Sequence, residues 1–179
     1  MGGASHPILH PSLGHGRSEA AWALLGGGPY HRTELTRAMQ VDEQTFRFWH
    51  PVEVRFRDID IGGHAHHSEA LIFFEEARSA YWREIAGRGE VGDIDFILAE
   101  ARIRYLQRVL YPDRLEVGVR VSLLGKKHFE MDYLVKSSDG RHLVWGQTVQ
   151  IMYDYEAGST KRIPDDIRQR LESAEGLEE

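Results

Sequence analysis

The chain has 179 residues, of which 41% are hydrophobic and 28% charged, and this composition is typical of a globular protein with one domain-sized core. Its formal net charge of −6 argues against a surface that neutralises many nucleic-acid phosphates. Because cysteine is absent, disulfides and thiolate metal sites are excluded, and the cytoplasm is the simplest expected location. No apolar run approaches the roughly 18 residues that a membrane-spanning helix needs, so we expect no membrane partner.

The first 45 residues differ from the rest of the chain. They contain many glycines, several prolines and scattered histidines, without sustained hydrophobic periodicity. We therefore predict a poorly ordered or accessory N-terminal extension over residues 1–45.

After this extension, hydrophobicity alternates along the chain, which is the pattern of a strand with one buried face. This first predicted strand places Val52, Val54 and Phe56 on the buried side. A glycine-rich turn follows, and Ser68 is the predicted N-cap of a long helix that ends at Gly87. Apolar residues surround much of this helix, so we expect the rest of the fold to enclose it.

The second half of the chain contains four further alternating segments with short connections. They cover residues 97–105, 115–123, 129–135 and 143–153, and residues 164–171 form a predicted closing helix. A strand, a long helix and four more strands indicate an α+β fold, with an antiparallel curved sheet of about five strands around one helix. Since such a sheet leaves an edge strand to protect, we predict a homodimer formed through an extended intersubunit sheet.

The stretch RFRDIDIGGHAHHSEAL, residues 55–71, crowds ionisable groups in front of the helix. Asp58 and Asp60 point the same way if the strand continues. Gly62 and Gly63 permit a sharp bend towards the helix start, where unpaired amides and the positive dipole end stabilise a developing oxyanion. A carboxylate beside such donors is a candidate general base or nucleophile, although aspartate and glycine are also ordinary turn residues.

Residues 54–82 resemble the hotdog-fold acyl-CoA thioesterases of the 4-hydroxybenzoyl-CoA thioesterase type. The pattern of that family is an aspartate, two residues, a glycine, three residues, then histidine or asparagine and the core helix. This chain matches the pattern with Asp60, Gly63 and His67, and the sequence FFEEAR at 73–78 matches the usual helix body.

The resemblance covers residues 46–172 as one hotdog domain and leaves residues 173–179 as a C-terminal tail. It implies hydrolysis of an acyl-CoA thioester to the free acid and CoA. No cofactor is implied, because CoA is part of the substrate. The active sites of this family lie at the interface of a homodimer or homotetramer, and an acyl carrier protein is an alternative donor of the acyl group.

The motif positions imply a role for each residue of the turn. Asp60 would activate the attacking water or attack the carbonyl itself, and His67 would orient water or substrate. After the bend at Gly63, the backbone amides from His67 through Ser68 to Glu69 would polarise the thioester oxygen.

Four further residues are candidate substrate contacts. Family members commonly have a tyrosine at the position of Ala70, so the missing ring enlarges any pocket there and predicts a bulkier acyl group. Phe74 is a second candidate for the acyl pocket, although aromatic residues at helical spacing are first of all core. Lys126 and Lys127, in a turn between two strands, are candidate contacts for the phosphates of CoA.

The histidines at positions 64, 66 and 67 raise the question of a metal site, because imidazole is the commonest protein ligand for zinc. Adjacent and alternate residues do not all face one point, so no metal is predicted. Two other functions stay open on the same fold: non-catalytic binding of acyl-CoA or another small ligand, and hydration or dehydration of a related thioester. The retained Asp60 and the lack of hydratase motifs favour hydrolysis.

Overall fold

The computed structural model describes residues 41–90 and 93–177, so most of the predicted extension, residues 1–45, lies outside the described part of the chain. The strands are β1 (Phe48–Glu53), β2 (Phe96–Tyr105), β3 (Arg114–Leu124), β4 (His128–Ser137), β5 (His142–Asp154) and β6 (Ser159–Thr160), and the helices are α1 (Glu69–Tyr81) and α2 (Asp165–Glu175). Every strand pair is antiparallel, and the main sheet has the order β1-β3-β4-β5-β2. The prediction of five antiparallel strands packed on one long helix is confirmed.

The first strand ends earlier than its hydrophobic pattern predicts. β1 ends at Glu53, and a single 3-10 turn follows over Phe56–Asp58. The carboxylate of Asp58 accepts a hydrogen bond of 2.7 Å from the amide of Arg55, and this local bond replaces a bond of the strand ladder. The prediction of a buried Phe56 is therefore wrong, because this side chain is 79% exposed.

Helix α1 presents one face to the sheet and another to solvent. Its buried residues include Phe73, Phe74 and Ala77, and a turn of π-helix continues it to Gly87, whose φ of +70° provides the predicted left-handed stop. Leu71 is exposed on the opposite side. One protomer alone therefore does not enclose the helix as the sequence predicted.

Phe74 fixes the separation between α1 and the sheet. Its side chain is completely buried, and its ring stacks on the ring of Tyr133 with 4.4 Å between centroids. On β5, a Cβ atom at Gly146 would lie only 2.2 Å from Cε2 of Phe74. The absence of a side chain at Gly146 is therefore what allows the helix to approach the sheet this closely.

The C-terminal helix seals the far end of the core. α2 runs to Glu175, further than the predicted end at residue 171, and buries Ile167 and Leu171. The hydroxyl of Tyr81 donates to Oε1 of Glu175 over 2.6 Å, and the amide of Val121 donates to the same oxygen over 3.1 Å. Burial raises the pKa of the Glu175 carboxyl above its usual range.

Among the described helices, none has the length and apolar character needed to cross a membrane.

The contact between Phe74 and Gly146 predicts a specific pattern of stabilities. Gly146→Ala should lower the free energy of unfolding by about 3 kcal/mol, the upper end of the usual effect of overpacking. Phe74→Leu in the same chain should relieve the clash, so the double variant should be more stable than the sum of the single effects predicts. Urea denaturation of the four proteins measures this coupling, and strictly additive effects would contradict the packing described.

Candidate active site

The turn between β1 and α1 is a tight, hydrogen-bonded loop. Ile59 pairs with Ala65 as an isolated bridge, and the amide of Asp60 donates to the carbonyl of His64 over 3.0 Å. The amide of Gly63 donates back to the carbonyl of Asp60, also over 3.0 Å, and the φ of Gly63 is +74°. A residue with a Cβ atom adopts that angle only with strain, so the predicted glycine bend at position 63 has a definite backbone reason.

The two aspartates of the motif lie in different surroundings, because the strand does not continue through them. The Asp58 side chain is only 6% exposed, and it closes the 3-10 turn in which Asp58 is the last residue. The Asp60 side chain is 27% exposed, and its Oδ1 accepts a hydrogen bond of 2.6 Å from the amide of Gly62. Oδ2 of Asp60 accepts no hydrogen bond from the described residues. The Asp60 carboxylate is thus fixed through Oδ1, and Oδ2 remains available as a hydrogen-bond acceptor.

Two histidines and a serine organise the start of α1. The Oγ of Ser68 lies 2.8 Å from Nδ1 of His66, and the ring of His66 packs against the ring of His67 at 4.0 Å. Ser68 has helical backbone angles, and its side chain makes no capping hydrogen bond. Ser68 is therefore the N-cap residue of α1, as the sequence predicted, but its hydroxyl contacts His66 and does not cap the helix amides.

The three predicted oxyanion donors differ in their availability. The amide of Glu69 already donates to the carbonyl of His66 over 2.9 Å. The amide of Ser68 lies 3.3 Å from Nδ1 of His66. The amide of His67 has no acceptor among the described residues. Because it also lies at the positive end of α1, it is the donor best placed to bind a developing negative charge.

Tyr105, which the sequence pattern placed only as a strand residue, anchors this same loop. Its hydroxyl donates to the carbonyl of His67 over 2.6 Å, from the end of the edge strand β2. Burial raises the pKa of Tyr105, so the phenol keeps its proton for this hydrogen bond. No local pattern could have revealed the contact, because 38 residues separate its two partners.

The remaining predicted site residues are scattered over the domain. Ala70 lies in the first turn of α1 and is only 3% exposed, and Phe74 lies beneath it in the core. Lys126 and Lys127 are in the turn that follows the last residue of β3. The first residue of β3 pairs with the last residue of β1, so the two lysines lie at the opposite end of β3 from the Asp60 loop. Since β3 has 11 residues, this turn lies on the order of 30 Å from the Asp60 loop.

The histidines of the turn do not converge on one point. Nδ1 of His64 contacts the carbonyl of Ala65 at 3.2 Å and lies 3.8 Å from Oδ1 of Asp60. Within residues 41–90 and 93–177, no three histidine, cysteine, aspartate or glutamate side chains are grouped in a way that could hold a metal ion.

Known proteins with this architecture include a thioesterase from Thermus thermophilus, whose structure contains coenzyme A and Zn. It is 30% identical to this chain, covers 74% of it and 97% of its own length, and has a TM-score of 0.66. A DHNA-CoA thioesterase from Staphylococcus aureus is 19% identical, with coverages of 72% and 91% and a TM-score of 0.64, and it supports the fold alone. YsmA of Bacillus subtilis (strain 168), an uncharacterised protein, is 26% identical over 127 residues, or 71% of this chain and 86% of YsmA.

The family model of the thioesterase-like superfamily matches residues 54–171, which include the glycine bend, α1 and the main sheet from β2 to β5. The resemblance inferred from the Asp60 motif is thereby confirmed. Both the match along the sequence and the arrangement of sheet and helix show that the chain belongs to the thioesterase-like superfamily and has its hotdog fold.

Proposed function

We propose that this protein hydrolyses an acyl-CoA thioester to the free acid and CoA, with Asp60 as general base or nucleophile. The observation that carries this proposal is the state of the Asp60 carboxylate. One of its oxygens is fixed by the Gly62 amide, while the other accepts no hydrogen bond from the described residues, and the loop that holds both leads into α1. A carboxylate with a fixed orientation and a free oxygen suits either role.

In the general-base form, Oδ2 of Asp60 takes a proton from a water molecule as the water oxygen bonds to the thioester carbon. The carbonyl electron pair moves onto oxygen, where the amide of His67 donates a hydrogen bond to the new negative charge. Collapse of this intermediate breaks the carbon–sulfur bond and releases CoA as a thiolate, which takes up the proton. In the nucleophilic form, Asp60 itself bonds to the carbon, the carbon–sulfur bond breaks and CoA leaves as a thiolate. Water then hydrolyses the resulting anhydride to the free acid and the Asp60 carboxylate, and the thiolate takes up the remaining proton.

The acyl group lies over the first turn of α1 in this proposal. Ala70 carries only a methyl group there, which leaves room for a bulky acyl chain, and the ring of Phe74 forms the floor beneath it. The ring of His67, held by the adjacent His66 ring, orients the attacking water.

The site is completed by a second protomer in this proposal. β1 is one edge of the sheet and contains Pro51, which weakens pairing, whereas β2 is an unprotected edge of ten residues. Antiparallel pairing of two β2 strands about a twofold axis brings the Tyr105 end of one strand to the Phe96 end of the other. Lys126 and Lys127 belong to the Phe96 end, because the amide of Met152, the partner of Phe96 in the sheet, donates to the carbonyl of Lys127. The two lysines thereby approach the substrate bound at the other protomer's Asp60.

Asp60→Asn should abolish catalysis while leaving the fold intact, because the asparagine oxygen can still accept the Gly62 amide. We expect thiol release from a panel of acyl-CoAs to fall about 10²- to 10⁴-fold. Asp154→Asn is the matched control, since Oδ1 of Asp154 also accepts backbone amides in a turn, those of Glu156 and Ala157. Full activity of the Asp60 variant would refute the catalytic assignment, and tight CoA binding without any turnover by the wild type would favour a binding protein.

Tyr105→Phe should reduce catalysis because it releases the His67 carbonyl and hence the neighbouring oxyanion donor. The control is Tyr155→Phe, since the Tyr155 hydroxyl donates to the carbonyl of Phe96 over 3.2 Å at the other end of β2. Both variants should lose about 0.5–1.5 kcal/mol of unfolding free energy, but only the Tyr105 variant should lower kcat. Equal kinetics of the two variants would show that Tyr105 has a structural role only.

Dilution should inactivate the enzyme if its site needs two protomers. We expect activity per milligram to fall in parallel with the dimer fraction, as measured by mass photometry at the same concentrations. A monomer with undiminished activity would rule out an intersubunit site.

A further inference from the structure

A cavity of about 590 Å³ lies at the same end of the sheet as the Asp60 loop. We call it the end cavity. Its walls include Arg55, Phe56, Tyr111, Asp113, Arg114 and Ser138. None of these residues belongs to the thioesterase motif, and the proposed chemistry at Asp60 does not use them.

The end cavity and the Asp60 loop share their backbone scaffold. Arg55 and Phe56 precede Asp60 by only five and four residues. The segment that leads to Tyr111 is also tied to this loop, because the amide of Ala65 donates over 2.8 Å to the carbonyl of Val109, two residues before Tyr111. A ligand in the cavity is therefore held close to the catalytic loop.

Two exposed aromatic rings form the apolar part of the cavity. Phe56 is 79% exposed and Tyr111 50% exposed, and their rings meet edge to face with 5.9 Å between centroids. Because the two rings are in contact, they form one exposed apolar patch, and a patch of this kind is a candidate binding surface. A flat aromatic ligand gains stacking energy on such rings whatever its exact substituents.

The polar groups of the cavity include positively and negatively charged side chains. The Arg114 side chain is 83% exposed, and its nearest carboxylate, that of Glu53, is 3.7 Å away. Most of its guanidinium donors therefore face solvent. Arg55 is less free, because it forms an ion pair of 2.8 Å with Glu76. Asp113 uses Oδ1 to accept hydrogen bonds from the Ser138 hydroxyl and the Arg114 amide, and its other carboxylate oxygen accepts none from the described residues.

We propose that the end cavity binds the nucleotide half of CoA. The adenine ring stacks on Tyr111 and Phe56, the phosphates pair with Arg114, and the free oxygen of Asp113 accepts a ribose hydroxyl. The flexible pantetheine arm then connects the cavity to the thioester at Asp60. This assignment rests on the proposed acyl-CoA substrate, and it competes with the phosphate contacts proposed for Lys126 and Lys127.

The test compares two thioesters that share one acyl group, an acyl-CoA and the corresponding acyl-N-acetylcysteamine, which has no nucleotide. Tyr111→Ala and Arg114→Glu should each raise KM for the acyl-CoA about tenfold, with kcat unchanged. Neither variant should change kcat/KM for the truncated thioester. Tyr111→Phe should restore the wild-type KM, because it keeps the ring.

Two control variants locate the effect. Tyr155→Ala removes an exposed ring at the opposite end of the sheet and should leave both substrates unaffected. The double variant Lys126→Glu, Lys127→Glu measures the competing phosphate contact, and we expect it to raise KM for the acyl-CoA less than either cavity variant does. If this double variant raises KM and the cavity variants do not, the nucleotide binds at the lysines and the proposal is wrong. Equal losses with both thioesters in the cavity variants would likewise overturn it.

Calorimetric titration with adenosine 3′,5′-bisphosphate separates this inference from the proposed function. We expect the wild type to bind this nucleotide fragment and Arg114→Glu to bind it about tenfold more weakly. Binding that persists in a wild type without thioesterase activity would refute the hydrolysis and keep the nucleotide site. Turnover of acyl-CoA without any binding of the fragment would refute the nucleotide site and keep the hydrolysis.

Discussion

The close approach of α1 to the sheet is the constraint on which the rest of this structure depends. Phe74 reaches across the core onto Tyr133 and occupies the space that a side chain at Gly146 would fill. This contact sets the height of the helix above β4 and β5. Because α1 follows the Asp60 loop directly, the same contact also determines where the helix N-terminus, and with it the His67 amide, faces solvent.

The loop before α1 shows why ionisable groups are crowded into one turn. The Asp58 carboxylate accepts a hydrogen bond from the backbone amide of Arg55, and this bond closes the 3-10 turn after β1. Asp60 is restrained by a single amide and retains an open oxygen. A bend at Gly63 then brings the chain to the helix, and the Tyr105 hydroxyl holds the His67 carbonyl from β2. One aspartate thus builds the loop, and the other is available for chemistry.

The two ends of the sheet have different characters. The Asp60 end carries the helix start and the end cavity with its exposed rings. The far end is sealed by α2, where the buried Glu175 carboxyl accepts hydrogen bonds from Tyr81 and Val121. The nucleotide site and the chemistry that we propose both lie at the open end, and the closed end supplies stability.

Local patterns predicted the order of the elements, the five antiparallel strands, the stop at Gly87 and the family of the protein. Those signals are short-range, since alternation, helical spacing and the Asp60, Gly63, His67 motif each lie within a few residues. Where local pattern failed, competing contacts decided the outcome: a hydrogen bond accepted by the Asp58 carboxylate ended β1, and the contact with His66 took the Ser68 hydroxyl away from the helix amides that it would cap. The contact of Tyr105 with His67 and the separation of Lys126 from Asp60 depend on how distant strands are ordered and paired. Such pairings join residues that are far apart along the chain, and only the packed tertiary structure determines which of them meet.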